Sequence, residues 1–74
     1  MVVYLQVLEY RIDPTITRPT VIVTPMMHYP NGFHVVVSRN LRYRVDREEA
    51  RVYVYHKAGA KQGEVGKVVI ARIG

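Results

Sequence analysis

The sequence predicts an all-β fold, a small five-stranded barrel with one short helical turn near residues 46–50. Fourteen Val, five Ile, four Thr and six Tyr stand among the 74 residues, and these residue types suit a pleated, half-buried surface. Turn residues separate short apolar segments, and no segment has the apolar periodicity of a long helix. The length predicts a single domain over 1–74.

Turn chemistry divides the chain into five predicted strands. Pro25 demotes the second of them to an edge or marks a bulge. Asp46 and Glu49 have the spacing of a capping box, which predicts the helical turn between the third and fourth strands. A closed barrel of the SH3-like or OB-like type would remove the sheet edges. The five predicted strands are 2–12, 20–29, 33–45, 51–57 and 67–73.

The clearest turn is the segment 29–33, with the sequence YPNGF. Asn-Gly after Pro predicts a bulged loop that joins the second and third strands as a hairpin. In that register His28 faces His34, and the odd residues of 33–45 form an apolar face. Two imidazoles are too few for a metal site, which usually needs three or four protein ligands. We therefore predict no metal and no cofactor.

The first predicted strand is apolar on both faces. Leu5 and Val7 alternate with Leu8, Tyr10 and Ile12, so neither face is left for water alone. The strand is then either central in a closed barrel or covered by a partner, and a twisted open sheet that dimerises through it is the structural alternative. This pattern favours an interaction or assembly module with residues 2–12 at the interface.

The excess positive charge is concentrated in the second half of the chain. Eleven Lys and Arg against six Asp and Glu give a formal charge of +5. Arg42 and Arg44 lie two residues apart on one strand face, about 7 Å from each other, and cations at such spacing can replace phosphate counterions. Tyr53 and Tyr55 are candidates for stacking on bases. The predicted nucleic-acid-binding cations are Arg39, Arg42, Arg44, Arg47, Arg51, Lys57, Lys61 and Lys67.

A glycine-rich segment follows the fourth predicted strand. Gly59, Gly63, Gly66 and Val68 have the spacing G-x3-G-x2-G-x-V, and residues 54–70 resemble the KOW motif of SH3-like barrels in ribosomal and transcription elongation proteins. In that family the glycine-containing loop joins two strands and helps to contact RNA or protein. The resemblance therefore implies an RNA-associated barrel.

These features favour a small basic nucleic-acid-binding module that binds mainly through phosphate contacts. RNA or a ribonucleoprotein is favoured over DNA as its partner. The alternative is the interaction module, as a small subunit or homo-oligomer, viral proteins included. The chain contains no Cys, no nucleophile elbow and no separated pair of carboxylates, so no enzyme is predicted. It has no apolar segment of about 20 residues and no signal peptide, which predicts a cytoplasmic protein without a membrane span. Scarce Asn and Gln favour a thermophilic source.

Overall fold

The computed structural model describes residues 5–25 and 27–73. Its described residues form six strands, arranged as two three-stranded antiparallel sheets in the orders β1-β6-β3 and β2-β5-β4. The prediction of an all-β fold is confirmed, whereas the sheets are open rather than closed into a five-stranded barrel. The strands are β1 (Leu5–Arg11), β2 (Thr20–Val23), β3 (Phe33–Val37), β4 (Leu41–Asp46), β5 (Arg51–His56) and β6 (Val65–Arg72).

The core lies between the two sheets and is supplied mainly by their central strands. Val52 and Val54 of β5 face Val68 and Ile70 of β6, and all four are at most 1% exposed. Strand side chains alternate between faces, so every second residue of each central strand is buried. Leu41 of β4 is buried with them. The intervening residues of β5 and β6 lie on the outer faces of the sheets.

The predicted third strand, 33–45, is two strands that belong to different sheets. β3 pairs with β6 and β4 pairs with β5, and the chain crosses between them in a turn closed by the Leu41 amide, which donates to the Ser38 carbonyl at 3.0 Å. Ser38 is tied to the first sheet, because its amide donates to the Lys67 carbonyl and its hydroxyl accepts from the Lys67 amide. The turn between Val37 and Leu41 therefore carries the chain from one sheet to the other.

The predicted hairpin between the second and third strands is wrong, although its turn forms. The Gly32 amide donates to the Tyr29 carbonyl at 3.0 Å, and Gly32 has a φ of 93°. β2 ends at Val23, however, and lies in the opposite sheet from β3. His34 lies opposite Ala71 of β6, so the predicted pairing of His28 with His34 does not occur.

The predicted helical turn at 46–50 is not confirmed. Residues 47–50 form the turn of the β4–β5 hairpin, and the Glu49 amide donates to Asp46 Oδ1 at 3.1 Å. The capping contact is therefore present, but Ala50 has a φ of 55°. A left-handed residue reverses the chain into β5 and cannot continue a right-handed helix.

The first strand is an edge strand, and the last is longer than predicted. β1 pairs only with β6 among the described strands, so it is not central. The predicted strand positions 2–4 and residue Met26 lie outside the described residues. β6 begins at Val65, whereas the sequence pattern places the start of this strand at Lys67.

Within the described ranges, no helix has the length and hydropathy that a membrane crossing requires.

Candidate binding surfaces on the two outer sheet faces

The outer face of the β1-β6-β3 sheet is aliphatic at its centre. Directly paired residues share a face, and the pairs Val7 with Val69 and Val69 with Val36 place three valines in one row across the sheet. Leu5, Ala71 and the exposed His34 of β3 form the next row. Leu5 and Val7 are each 54% exposed and Val36 is 64% exposed. We call this surface the apolar face, and it consists of Leu5, Val7, Val36, Val69 and Ala71.

Charged residues border the apolar face on one side. Glu9 and Lys67 pair across β1 and β6 in the row after Val7, and Lys67 Nζ lies 3.6 Å from Glu9 Oε1. Further along β1, Arg11 donates to the Gly63 carbonyl at 3.2 Å. The surface therefore has an aliphatic centre with charged residues along one border, and protein interfaces likewise have an apolar core next to polar residues.

The outer face of the β2-β5-β4 sheet carries stacked arginines and tyrosines. Arg42 pairs with Tyr55 and Arg44 pairs with Tyr53, which brings the Arg42 guanidinium 5.1 Å from the centre of the Tyr55 ring and that of Arg44 4.5 Å from the centre of the Tyr53 ring. Both distances allow a cation–π interaction. We call these four residues the arginine–tyrosine face.

The arginine–tyrosine face ends at an ion pair. Arg51 Nη1 lies 3.1 Å from Glu49 Oε2, and the Tyr53 hydroxyl donates to the same oxygen at 3.5 Å. The hydrogen bond with Tyr53 and the charge of Glu49 raise the pKa of Arg51 above its usual value. Arg51 therefore stays charged, and the carboxylate of Glu49 balances that charge locally. Arg42 and Arg44 take part in neither of the ion pairs that the described residues form.

The eight cations predicted from the sequence do not converge on one surface. Arg42, Arg44 and Arg51 share the outer face of one sheet, whereas Lys67 lies on the outer face of the other and is paired with Glu9. The remaining four are exposed residues of the loops and turns, namely Arg39, Arg47, Lys57 and Lys61. Of the predicted stacking residues, Tyr53 and Tyr55 are both half-buried beneath arginines.

A groove that the sequence does not predict opens between the two sheets. It has a volume of about 600 Å³ and lies between β1 and β2, the edge strands on that side. Leu8, Ile22, Val68 and Ile70 line its floor. None of the described residues that line the groove is titratable. The described residues also contain no group of three or more His, Cys, Asp or Glu side chains that could hold a metal.

The predicted glycine loop connects the two sheets. Gly59 and Gly63 have positive φ values of 91° and 82°, while Gly66 lies within β6. β5 and β6 flank the loop but belong to different sheets. The loop amides are used internally, since Gly63 donates to the Ile12 carbonyl at 2.9 Å. The resemblance of residues 54–70 to the KOW motif stays a prediction.

Comparison with known proteins gives one match. No curated protein and no solved structure matches the chain. The family model of the glycoside hydrolase family 5 C-terminal domain matches residues 6–70. By its description, this family is a C-terminal domain of family 5 glycoside hydrolases.

The match corrects the classification that charge and the glycine spacing favour. The classification as an RNA-binding, ribonucleoprotein or ribosomal protein is wrong for this chain, because the matched model describes a domain of carbohydrate-cleaving enzymes. Basic charge and small β folds occur in many protein classes, and neither feature separates them. Since the model covers 6–70, well over half of the 74 residues, the chain belongs to the glycoside hydrolase family 5 C-terminal domain family.

Proposed function

We propose that this chain is an accessory domain that attaches to a family 5 glycoside hydrolase catalytic domain through its apolar face. The observation that carries the proposal is the exposure of Val7 and Val36 on either side of Val69. Contiguous exposed aliphatic side chains mark a surface that a partner covers. Membership of a C-terminal domain family of these enzymes supplies the class of partner. In this proposal the chain itself has no catalytic role.

The contrast between the two outer faces supports the choice of surface. The cores of protein interfaces are depleted of charge and surrounded by a polar rim. The apolar face has no charged side chain at its centre, and Glu9 and Lys67 form a charged border in the row beside Val7. The opposite face carries Arg42 and Arg44 near its centre, and each guanidinium would have to be desolvated on docking.

Self-association through β1 is the competing use of the same surface. Leu5 and Val7 belong both to the edge strand and to the apolar face, so a second copy could cover them. A domain of this size also gains stability from an added apolar contact. We commit to the catalytic domain as the occupant, because the family assignment names that class of enzyme.

A matched pair of double variants tests the proposal. Val7→Lys with Val36→Lys places two charges on the apolar face, and Val21→Lys with Val23→Lys places two on exposed β2 positions of the other sheet, where the valines are 47% and 55% exposed. Each variant is titrated by calorimetry against family 5 catalytic domains from the same source organism, expressed without their own C-terminal domains. Sedimentation of the chain alone measures self-association.

We expect the wild-type chain and the β2 variant to bind one catalytic domain with similar affinity. The Val7→Lys, Val36→Lys variant should bind at least roughly tenfold more weakly, which corresponds to about 1.4 kcal/mol. The proposal is overturned if no catalytic domain binds, if both variants lose affinity equally, or if the wild-type chain sediments as a dimer that only the apolar-face variant dissociates.

A further inference from the structure

Strand β4 is a free edge of the second sheet. It is a terminal strand in the order β2-β5-β4, and just before it the Lys57 amide donates to the Asn40 carbonyl at 2.8 Å. Hydrogen-bonded pairs alternate with non-bonded pairs along an antiparallel ladder. Tyr43 and Val45, at odd distances from Asn40, therefore direct their backbone N–H and C=O groups away from β5. No described loop or turn forms a backbone hydrogen bond to either residue.

The ladder on the other side of β5 gives the same assignment. The Thr24 amide donates to the Ala50 carbonyl at 2.7 Å, so even-numbered residues of β5 bond to β2 and odd-numbered residues bond to β4. The odd-numbered partners are those that pair with Arg42 and Arg44. These two arginines therefore use their backbone groups within the sheet, and the residues between and after them leave theirs at the edge.

The side chains on the outer side of this edge are two cations followed by an acid. Arg42 and Arg44 are exposed, and each guanidinium is held over a tyrosine ring, at 5.1 and 4.5 Å from the ring centre. Neither ion pair of the described residues includes them. Asp46 occupies the next outer position, where its Oδ1 accepts from the Glu49 amide at 3.1 Å. Alternate residues of a strand lie about 7 Å apart.

The inner side of the edge is apolar and incompletely covered. Tyr43 is 45% exposed, and Val45 is half-buried against the core. A further strand beside β4 would remove apolar area of both side chains from water, which is favourable. Such a strand fits best when its residues alternate between apolar and charged.

We propose that the β4 edge binds an extended acidic segment of a partner protein as a fourth, antiparallel strand. Backbone hydrogen bonds would form at Tyr43 and Val45, as in other cases of strand addition to a free edge. Acidic residues at alternate positions would lie opposite Arg42 and Arg44, in non-bonded pairs, where cross-strand side chains approach most closely. Because both strands have the same spacing of alternate residues, both charge pairs form in a single register.

The charge of the edge favours this partner over a second copy of the chain. A copy of β4 paired about Tyr43 would place Arg42 opposite Arg44, and like charges at opposite positions destabilise a sheet. No strand in the described ranges has two acidic residues at alternate positions. Charged edge strands prevent self-pairing, and the same two arginines attract a segment of opposite charge.

The probe is the blocked heptapeptide TKVEVET, titrated into the nitrogen-15-labelled 74-residue chain and followed by NMR. In antiparallel register its lysine lies opposite Asp46, its glutamates opposite Arg44 and Arg42, and its valines opposite Val45 and Tyr43. The peptide TKVQVQT removes both negative charges at nearly constant shape. N-methylation of the two valines removes the amides that would bond to β4, whereas N-methylation of the two glutamates alters amides that would point away.

A pair of double variants tests the protein side of the contact. Arg42→Gln with Arg44→Gln removes both cations from the edge. Arg11→Gln with Arg18→Gln is the matched control, because it lowers the net charge equally at exposed residues outside β4. The amide spectrum of each free variant verifies that it is folded.

We expect TKVEVET to bind with a Kd on the order of 100 μM and to shift the Tyr43 and Val45 amide signals most. TKVQVQT should bind at least roughly tenfold more weakly, and so should TKVEVET to the Arg42→Gln, Arg44→Gln variant. The peptide with N-methylated valines should not bind, because it cannot donate to the edge. N-methylated glutamates and the control variant should change the affinity by no more than roughly twofold.

The inference is overturned if TKVEVET does not bind, if TKVQVQT binds as tightly, or if the two double variants lose affinity equally. It is also overturned if the two N-methylated peptides bind alike, since the contact would then not use the edge backbone. The peptide comparisons use the wild-type chain, so they hold even where a variant fails to fold. The apolar face belongs to the other sheet, and a failure of the proposed docking leaves these outcomes unaffected.

Discussion

Gly66 of β6 lies directly against the side chain of Leu41 in β4. A Cβ atom placed on Gly66 would come within 3.0 Å of Leu41 Cδ1 and 3.2 Å of Cδ2. The two residues belong to different sheets, and Leu41 is 1% exposed. The missing side chain at Gly66 is therefore filled by Leu41, and this contact sets how closely the two sheets approach at this end of the core.

The Gly66 contact predicts that Gly66→Val destabilises the fold by about 1–3 kcal/mol, the usual cost of overpacking a core. The added methyl groups would meet a leucine that is already packed on all sides. Urea denaturation measures the change in the free energy of unfolding. Ala71→Val enlarges a residue on the outer face of the same strand, and it should change stability by less than about 0.5 kcal/mol. Equal effects of the two substitutions would show that the Leu41 contact is not tight.

The stacking of Arg44 on Tyr53 predicts a measurable coupling between these side chains. In a double-mutant cycle with Arg44→Ala and Tyr53→Leu, the coupling energy should be about 0.5–1 kcal/mol, as for an exposed cation–π pair. Chemical denaturation of the four proteins gives the value. Arg39→Ala with Tyr53→Leu is the control cycle, since Arg39 lies in the β3–β4 turn. A coupling near zero for Arg44 would mean that the stacked geometry contributes nothing to folding.

Asp13 predicts a contribution to stability that depends on pH. The Thr15 hydroxyl and amide both donate to Asp13 Oδ1, at 2.7 and 3.0 Å, and these bonds lower the pKa of Asp13 below 3.8. The folded state therefore favours the carboxylate, so the contribution is present above pH 3.8 and is lost as the pH falls through the lowered pKa.

Asp13→Ala should accordingly lower the urea midpoint at pH 7 and change it less at a pH below the lowered pKa. Thr15→Ala is the companion variant, because it removes the donor hydroxyl and keeps the carboxylate. It should reduce the same pH dependence while leaving the backbone bond from residue 15. An Asp13→Ala effect of equal size at both pH values would contradict the assignment.

Alternation of side chains predicts the faces of the strands but not their pairing. Arg42 and Arg44 share an outer face, as their spacing predicts, and Leu41 and Val45 point inward with Phe33 and Val35. The break in the predicted strand leaves this alternation intact, because Val37 and Leu41 are four residues apart and both point inward. Period-two patterning therefore continues through the turn, and nothing in the pattern reveals that the chain changes sheets there.

The surfaces depend on tertiary arrangement to different degrees. The apolar excess of the first strand is visible in Leu5 and Val7, but only pairing with β6 adds Val69 and Val36 to the same patch. The groove between β1 and β2 combines three segments that are distant in sequence, so no local motif marks it. The cations gave a wrong picture of the binding surface, because residues that form one basic group in the sequence are separated by the fold. Lys67 and Arg44, for example, lie on different sheets.

Asn40 provides a direct test of what makes the chain change sheets. Its amide Nδ2 donates to the Val65 carbonyl at 3.1 Å, and its Oδ1 accepts from the Ser38 hydroxyl at 2.7 Å. Asn40→Ala removes both bonds and should lower the free energy of unfolding by about 1–3 kcal/mol, at about 0.5–1.5 kcal/mol for each hydrogen bond. Denaturant titration provides the measurement.

Asn31→Ala is the matched control for Asn40→Ala, because it makes the same substitution in another turn, where Asn31 is exposed. It should change stability by less than about 0.5 kcal/mol. Hydrogen exchange adds a local readout: Asn40→Ala should increase exchange of the Lys67 amide, which donates to Ser38 Oγ. If the loss of stability were seen without faster exchange at Lys67, Asn40 would stabilise the turn alone and not its attachment to the first sheet.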